Sequence, residues 1–521
     1  MSSRRISRIL RRIRDVTPDD QALQYREPGL DQNKQCELII GLDFGTSSTK
    51  VVIQAPDLQG SPSFPVDFGP LAHKSSRYLL PTKLWVRDGK FSIAPQPNGR
   101  VISNLKTALL VDPSVTAAAH DIDRRRNSEA IAAIYLALVL RYCRKWFLET
   151  KAGLVRHFGR LVWSVNLGVP SPCIEDNEQN RSFRRVGKTA WLLSTLPEDT
   201  ISFSRAREEL DRVDDPDYWD PSDESICDFD IIPEIAAGAV GYALSDRRRD
   251  GLHVMVDIGA STVDICTFLL TTDKEVLTDR YSLLIADVQE YGIARVHDER
   301  IRAIEQVWQR HAQRLRENFE ALEPLPDDLD QYLRPEESLE KAVRDAYDYV
   351  IEQFDLMMRS AIWKTKLRRH PRAPEWSKGK LPILVIGGGN HVAPFRWAVE
   401  RLDDWLRTHT RNDGVIVLPV PVPESFVKSG STVSEVEQRG SLWRGDSATE
   451  RWTWVRSSRQ TGFPTYLLRA YANGETDSWA RRWCKALEQA HLPPCASRGH
   501  SQNRDEFTLT HHQRTIRRGF E

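Results

Sequence analysis

Residues 40–52 read IGLDFGTSSTKVV, and residues 254–265 read VMVDIGASTVDI. Each stretch has an apolar strand, an aspartate, a glycine, small or hydroxyl residues and then a second apolar strand. The glycine permits a tight turn whose backbone can approach a ligand closely. A hairpin of this kind that occurs twice predicts two similar halves that clamp one anion. The phosphate tail of a nucleotide is the anion that we expect.

The residue types in these hairpins suit a metal–phosphate group. Backbone amides and the hydroxyls of Thr46, Ser47 and Ser48 can donate hydrogen bonds to phosphate oxygens. Asp43 would repel a phosphate, so we expect it to hold Mg²⁺ through water, with the ion bridging to the phosphates. Asp257 has the same place in the second hairpin. Together they predict one site with a carboxylate from each half.

Two further segments fit a nucleotide site. Residues 383–390 read ILVIGGGN, a buried strand that leads into three glycines and then a helix. Such a backbone permits flat contact with a nucleoside, although a glycine run alone is weak support. Residues 232–242 read IPEIAAGAVGY, whose small residues let a helix pack closely, as at a hinge between lobes. Glu234, at the start of this segment, is placed to orient a water molecule.

Composition narrows the class of protein. The chain has 521 residues, enough for two or more domains or one bilobal unit. Lys plus Arg and Asp plus Glu are both 73, so no net charge directs the chain to nucleic acid or an anionic membrane. No run of about eighteen apolar residues predicts a membrane span. The seven cysteines are widely spaced without a CxxC pair, which indicates a reducing compartment, and we expect a cytoplasmic protein.

Strands alternate with helical patterns over most of the chain, which predicts an α/β fold. We expect a hairpin turn at Asp88-Gly89, a long helix over 128–148 and an irregular acidic insertion over 197–230. The predicted organisation is a basic leader (1–35), a first lobe with the acidic insertion (36–245), a second lobe with a helical insertion (246–423) and a C-terminal extension (424–521).

In this order, the four segments resemble the actin-like ATPase superfamily, and most closely the nucleotide-binding domain of the 70-kDa heat-shock chaperones. The chaperone branch fits because its connecting segment has a proline followed by an alanine run, as residues 233–237 approximately do. The resemblance spans roughly residues 38–400. It implies two related ribonuclease-H-like lobes with a nucleotide cleft between them.

The resemblance implies a site for ATP and Mg²⁺. Asp43 and Asp257 would hold Mg²⁺ through water, Thr46 and Ser47 would bind the β- and γ-phosphates, and Thr262 would lie near the γ-phosphate. Gly387, Gly388 and Gly389 would line the adenosine. The remaining residues implied in the phosphate loops are Gly45, Gly259 and Ser261.

A lysine and a glutamate complete the implied catalytic set. Lys106, a lone lysine in a mostly apolar run, would match the family's lysine that positions the attacking water. Glu234 would match the glutamate beside that lysine. The alternative for Lys106 is a surface lysine whose aliphatic stem lies along a helix.

The chain departs from the family in three places. Gly259-Ala260-Ser261 stands where the second loop usually has consecutive glycines, which predicts slower hydrolysis. His391 stands where the chaperones carry an arginine that stacks on adenine. Fewer than a hundred residues follow Pro423, so we expect no standard peptide-binding domain there.

The expected function is a heat-shock-70-like ATPase, a Mg-ATP-dependent conformational switch that acts on a protein partner or client. We expect no nucleic-acid partner. One alternative is a small-molecule kinase of the sugar-kinase branch, for which Asp220 or Asp264 is the candidate base. The other is a polymerising actin homologue.

Overall fold

Both repeated motifs form antiparallel hairpins in the computed structural model of the protein. The first joins Gln35–Phe44 to Ser48–Gln54, and the second joins Gly251–Ile258 to Val263–Asp273. Most side chains of these strands are buried on both faces, which accounts for their nearly continuous apolar sequence.

The structure describes residues 30–420 except 32, 74–75, 111–118, 171–176, 216–217, 221–225, 244, 246, 274–277, 297, 300–301, 303–336, 388, 390–392 and 419. Most of the predicted leader and the whole of the predicted C-terminal extension lie outside these residues. So does the stretch 303–336, which belongs to the helical insertion expected in the second lobe.

The described elements are as follows in chain order. The strands are β1 (Gln35–Phe44), β2 (Ser48–Gln54), β3 (Ser63–Pro65), β4 (Leu80–Pro81), β5 (Leu84–Arg87), β6 (Lys90–Ser92), β7 (Arg100–Ile102), β8 (Arg160–Val169), β9 (Asp228–Pro233), β10 (Gly251–Ile258), β11 (Val263–Asp273), β12 (Thr278–Gln289), β13 (Leu381–Ile386) and β14 (Val415–Leu418). The helices are α1 (Thr107–Leu110), α2 (Ala119–Val155), α3 (Asn177–Ser194), α4 (Phe203–Arg212), α5 (Glu234–Ala243), α6 (Glu337–Lys364) and α7 (Ala393–His409).

The two larger sheets have the same strand order. The first runs β3-β2-β1-β8-β9, with β4 beside β2, and the second runs β12-β11-β10-β13-β14. In each sheet the first three strands of this order pair antiparallel with one another. The third strand is the central one, and the last two strands run parallel to it. The repeat in the sequence is therefore also a repeat in topology, and the α/β class is confirmed.

Each larger sheet has its own apolar core. The first core draws on residues 36–231, and the second on residues 252–415. Helix α2 runs through the first core with residues 132–140 buried on all sides, as expected for a helix that is apolar all round. No helix in the described part of the chain, α2 included, has the length and apolar character to cross a membrane.

Helix α5 packs on the other face of the second sheet. Ile235 and Tyr242 lie in a cluster with Met255 and Cys266 of β10 and β11. A Cβ added at Gly238 would stand only 3.3–3.4 Å from side-chain atoms of β10 and β13. The small residues thus allow the close helix packing that the sequence predicts.

The prediction of an irregular segment over 197–230 is wrong in its middle. Helix α4 forms there because the Ser202 hydroxyl accepts a hydrogen bond from the Arg205 amide, 3.2 Å away, and caps the helix. Ala206 and Leu210, four residues apart, are buried on one face of the helix. The acidic and proline-rich surroundings concealed this short amphipathic pattern.

The predicted turn at Asp88-Gly89 is confirmed. Both residues have positive φ, +51° and +74°, as a type I′ turn requires, and Arg87 pairs with Lys90 across it. Strand β12 was not predicted. Its sequence has no strict alternation, and its pairing with β11 shifts register between Thr267 and Phe268.

Two helical glycines test the packing of the first core. A Cβ added at Gly187 in α3 would stand 2.0 Å from Cζ of the buried Phe229, whereas one at Gly153 in α2 has no atom within 4 Å. We expect Gly187→Ala to lower the free energy of unfolding by about 1–3 kcal/mol, because the buried Phe229 ring would have to shift to admit the methyl group. Gly153→Ala, the matched control, should raise it by up to about 1 kcal/mol. Urea unfolding measures both, and equal effects would contradict this packing.

Candidate functional site

The two repeated motifs close into equivalent four-residue turns, 45–48 and 259–262. A Cβ at Gly45 would stand 2.4 Å from the carbonyl oxygen three residues later, and one at Gly259 would stand 3.0 Å from the corresponding oxygen. The distance at Gly45 is too short for any Cβ atom, and the distance at Gly259 would be very tight. Each turn folds back so tightly that its first residue has little or no room for a side chain, which explains why both motifs have glycine there.

Neighbouring segments hold both turns by their carbonyl groups. Thr82 donates its hydroxyl to the Gly45 carbonyl at 2.8 Å and its amide to the Ser47 carbonyl at 2.9 Å. The amides of residues 292–294 donate to the carbonyls of residues 259–261 at 2.7–3.1 Å. Each turn is thus fixed from its carbonyl side before any ligand binds.

Equivalent strand registers place charged residues opposite each other. Asp43 pairs across the strands with Lys50, and Asp257 pairs in the same way with Asp264. Lys50 Nζ lies 3.0 Å from Asp43 Oδ2. The first hairpin therefore contributes a carboxylate and an ammonium group, and the second contributes two carboxyl groups.

Lys106 and Glu234 form an ion pair beside these hairpins. Lys106 lies just before α1, Glu234 is the first residue of α5, and Lys106 Nζ is 2.6 Å from Glu234 Oε1. Lys106 is only 6% exposed, so the alternative of a surface lysine is wrong. Gly168, at the end of β8, leaves room for the glutamate, because a Cβ there would stand 3.2 Å from Glu234 Cγ.

Charged groups from the two sheets shift each other's pKa values. Burial disfavours the ammonium form of Lys50, but Asp43, with Asp257 and Glu234, outweighs burial and raises the lysine's pKa. Burial raises the pKa of Glu234 to about 6, and the Asp43 and Asp257 carboxylates add to this against the opposite effect of Lys106. Asp257 of β10 therefore raises the pKa of Lys50, in the first sheet, and of Glu234, which directly follows that sheet.

Asp264 is the most strongly perturbed carboxyl group of this set. Burial, helped by Glu234 and Asp257, raises its pKa to about 8, although Lys106 and a hydrogen bond from the Thr262 hydroxyl at 3.3 Å oppose the rise. Its Oδ1 atom is buried and accepts no hydrogen bond. A carboxyl oxygen without a partner in a closed space is suited to receive a water molecule or a ligand.

We call this group of six side chains the carboxylate cluster: Asp43, Lys50, Lys106, Glu234, Asp257 and Asp264. Sequence reasoning missed Lys50, and it named Asp264 only as a candidate base for a kinase. The signal that could have found both is their identical position, seven residues after the aspartate of each motif.

Gly387 and Gly389, which follow β13, lie against the end of β10. Gly387 has φ +85°, and a Cβ there would stand 2.3 Å from Asp257 Oδ1, so glycine is required by both conformation and space. Gly389 is buried, and a Cβ there would stand 2.2 Å from Ile258 Cγ2. Gly388 and His391 lie outside the described residues. Two of the three glycines predicted to line a nucleoside thus adjoin the carboxylate cluster.

The hydroxyl residues predicted for phosphate binding lie on the two turns. Thr46 and Ser47 are half-buried in the first turn, and Ser261 and Thr262 are half-buried in the second. The Thr262 hydroxyl is engaged by Asp264. The structure therefore brings the predicted site residues of the described chain into one region.

The donor set suits a hydrated divalent cation better than a directly bound one. No three His, Cys, Asp or Glu side chains among residues 30–420, gaps excepted, lie close enough to hold a metal ion by themselves. With Asp264 protonated, the carboxylates of Asp43, Glu234 and Asp257 against two ammonium groups nevertheless leave one net negative charge, and ionisation of Asp264 adds a second. By charge, Asp43 and Asp257 are the carboxylates that would hold a hydrated Mg²⁺ ion.

Comparisons with known proteins add no family. No family model matches the chain, and no curated protein is similar to it in sequence.

Asp264 gives the cluster a pH dependence that can be measured. Its pKa rises from 3.8 to about 8 on folding, so the folded state holds the proton more tightly across that window. The stability that this proton gives is present at low pH and is lost as pH rises toward 8. Asp264→Asn should therefore be more stable than the natural chain at pH 8, by about 1–3 kcal/mol, and by much less near pH 5.

Thermal and urea unfolding at both pH values, with a chelator present, measure this difference. Asp250→Asn is the matched control, because Asp250 is an exposed carboxylate paired with Arg248. It should change stability by less than about 0.5 kcal/mol at either pH. An Asp264→Asn effect that does not change with pH would contradict the proposed titration.

Proposed function

We propose that this protein is an ATPase of the actin-like type, closest to the heat-shock-70 branch. In this proposal Mg-ATP binds between two ribonuclease-H-like halves and controls their relative position. One observation carries it: Asp43 and Asp257, from equivalent strands of the two sheets, both perturb the pKa values of Lys50 and Glu234 in the carboxylate cluster. Strongly perturbed ionisable groups in such an arrangement are typical of functional sites.

The turns would bind the phosphate tail. Thr46, Ser47 and Ser261 offer hydroxyls and amides, and Lys50 adds positive charge beside the first turn. The carbonyl side of each turn is already held by protein hydrogen bonds. Donors that are fixed in advance do not have to reorganise when a phosphate arrives, which favours binding and catalysis.

Asp43 and Asp257 would hold Mg²⁺ through water. When bound, the ion would neutralise charge on the phosphates and on the cluster itself. Gly387 and Gly389 would let the adenosine approach the backbone beside Asp257, and we assign Gly388 the same role.

The buried ion pair would serve hydrolysis. Lys106 and Glu234 would orient a water molecule for attack on the γ-phosphorus. Asp264 Oδ1, which accepts no hydrogen bond from the described protein, would take the proton as the bond to ADP breaks. Because burial raises its pKa to about 8, Asp264 would accept this proton in the ionised fraction of the molecules, which grows as pH rises toward 8.

Helix α5 would transmit the nucleotide state to a protein partner. The helix packs on the second sheet, while its first residue, Glu234, pairs with Lys106 next to the first sheet. A nucleotide that touches both turns would favour one arrangement of the halves by its differential affinity, and a partner would respond to that arrangement.

A sugar-type kinase is the second candidate function, because Asp264 also suits a base that activates an acceptor hydroxyl. ADP production measured with a panel of sugars and polyols separates the two. Turnover that requires one of these acceptors would favour the kinase, whereas turnover with water alone would favour the ATPase.

Asp257→Asn tests the ATPase directly. The substitution keeps the size of the side chain but removes the charge that would hold hydrated Mg²⁺, so we expect ATP turnover to fall by at least about a hundredfold. The melting temperature should stay close to that of the natural chain. A malachite green phosphate assay and circular dichroism measure the two quantities.

Asp88→Asn is the control, since Asp88 lies in an exposed turn with a side chain 86% accessible. Its turnover should equal that of the natural chain. Unchanged turnover in Asp257→Asn would remove this residue from the site, and no turnover in the natural chain would overturn the ATPase assignment.

A further inference from the structure

A run of positive charge lies at the end of α6. Residues 363–372 read WKTKLRRHPR, with five lysines and arginines and no aspartate or glutamate. Apart from the half-buried Lys366, these cations are exposed. Positive charge is therefore concentrated on this short segment, although the net charge of the whole chain is zero.

Among the residues that the structure describes, the exposed cations of this segment have no acidic partner. Lys364, Arg368, Arg369 and Arg372 form no ion pair with any described residue. Elsewhere surface arginines are commonly paired, as Arg407 is with Asp403 at 2.7 Å and Arg359 with Asp355 at 2.6 Å. The positive field of the segment is thus not neutralised by the part of the chain that the structure describes.

Large apolar side chains are exposed among the cations. Trp363 is 41% exposed and Leu367 is 57% exposed, one turn apart on the same face. We call the following residues the basic surface: Trp363, Lys364, Lys366, Leu367, Arg368, Arg369, Arg372 and Arg411.

An open cleft of about 550 Å³ adjoins the segment, with Lys366, Arg372 and Arg411 in its lining. The buried Trp376 also lines the cleft and is fixed by a hydrogen bond from its Nε1 to the His370 carbonyl, at 2.7 Å. The cleft therefore combines cationic walls with a rigid aromatic side chain.

The hydroxyls in the cleft add little to its recognition chemistry. Thr408 and Thr410 donate to backbone carbonyls of α7 at 2.8 and 2.6 Å. The Ser377 hydroxyl, which also lines the cleft, donates to the Pro374 carbonyl at 3.4 Å. With these hydroxyl protons engaged, the cationic donors that the cleft offers a ligand are ammonium and guanidinium groups.

We propose that the basic surface docks an acidic peptide segment of a partner protein. Carboxylates of the peptide pair with the arginines and lysines, and an apolar side chain of the peptide covers Leu367 or enters the cleft. Guanidinium groups bind carboxylates through two parallel hydrogen bonds, which gives specificity as well as charge neutralisation. This inference goes beyond the ATPase and does not depend on it.

The surroundings favour a peptide over nucleic acid. The Lys366 ammonium lies 5.4 Å from the centre of the Trp363 ring and covers a face on which a base would have to stack. Asp404 and Asp413 are exposed acidic residues seven positions before and two positions after Arg411, so the sequence around Arg411 is not uniformly basic. A phosphate backbone needs a longer run of cations, whereas a short acidic peptide fits between these limits.

Fluorescence anisotropy with the full chain tests the proposal. The probe is a labelled synthetic peptide of alternating glutamate and leucine, and the comparison probe has lysine in place of glutamate. We expect the acidic peptide to bind, with an affinity that falls as salt rises, and the basic peptide not to bind.

Charge reversal locates the binding site. The triple variant Arg368→Glu, Arg369→Glu, Arg372→Glu should weaken binding of the acidic peptide by at least about tenfold. Leu367→Ser should weaken it at unchanged net charge, which tests the apolar contact. The matched control reverses three exposed cations elsewhere, Lys90→Glu, Arg100→Glu and Arg156→Glu, and should weaken binding less than about twofold.

The proposal is overturned if the acidic peptide does not bind, or if the two triple variants weaken binding equally. It is also overturned if a labelled single-stranded DNA oligonucleotide binds the basic surface more tightly than the peptide. Circular dichroism confirms that each variant is folded. Asp257→Asn should bind the peptide as the natural chain does, so failure of the ATPase assignment and failure of this proposal give different results.

Discussion

Four carboxyl groups and two lysines crowd into one largely buried space, and their mutual charge is the constraint on which the site depends. Carboxylates at close range in a low dielectric repel one another strongly. Pairing of Lys106 with Glu234 and of Lys50 with Asp43 relieves part of this repulsion. Burial, together with Glu234 and Asp257, raises the pKa of Asp264 to about 8, and its protonation relieves a further part. A divalent cation would relieve the rest, which is why we infer that charge neutralisation drives ligand binding.

The fold positions this cluster by repeating one arrangement. Each sheet puts an aspartate at the end of its central strand, a tight glycine turn after it, and a glycine at the end of the neighbouring parallel strand. Gly168 makes room for Glu234, and Gly387 makes room for the Asp257 carboxylate. The second sheet therefore contributes its carboxyl groups to the cluster through the same strand arrangement as the first.

Much of the fold and part of the candidate site could be predicted from local sequence patterns. The two hairpins, the small-residue helix α5 and the Asp88-Gly89 turn were predictable, because turn chemistry and close packing restrict residue type locally. The roles of Lys50 and Asp264 depend on which residues face each other across the strands and on charges from the other sheet, so they were not predictable from either hairpin alone. The depth at which Lys106 is buried was equally hidden, since a lone lysine in an apolar run also suits a surface helix. Strand β12 was missed for lack of alternation, and helix α4 for its acidic surroundings.

Isothermal titration calorimetry of ATP into the full chain, with Mg²⁺ and then with a chelator, tests the proposed metal–phosphate site most directly. We expect one ATP per chain and binding at least about tenfold tighter with Mg²⁺, because the ion neutralises the charge that the cluster and the phosphates would otherwise oppose. Absence of ATP binding, or an affinity that does not change when Mg²⁺ is removed, would contradict convergence of the two turns on a metal-bound nucleotide.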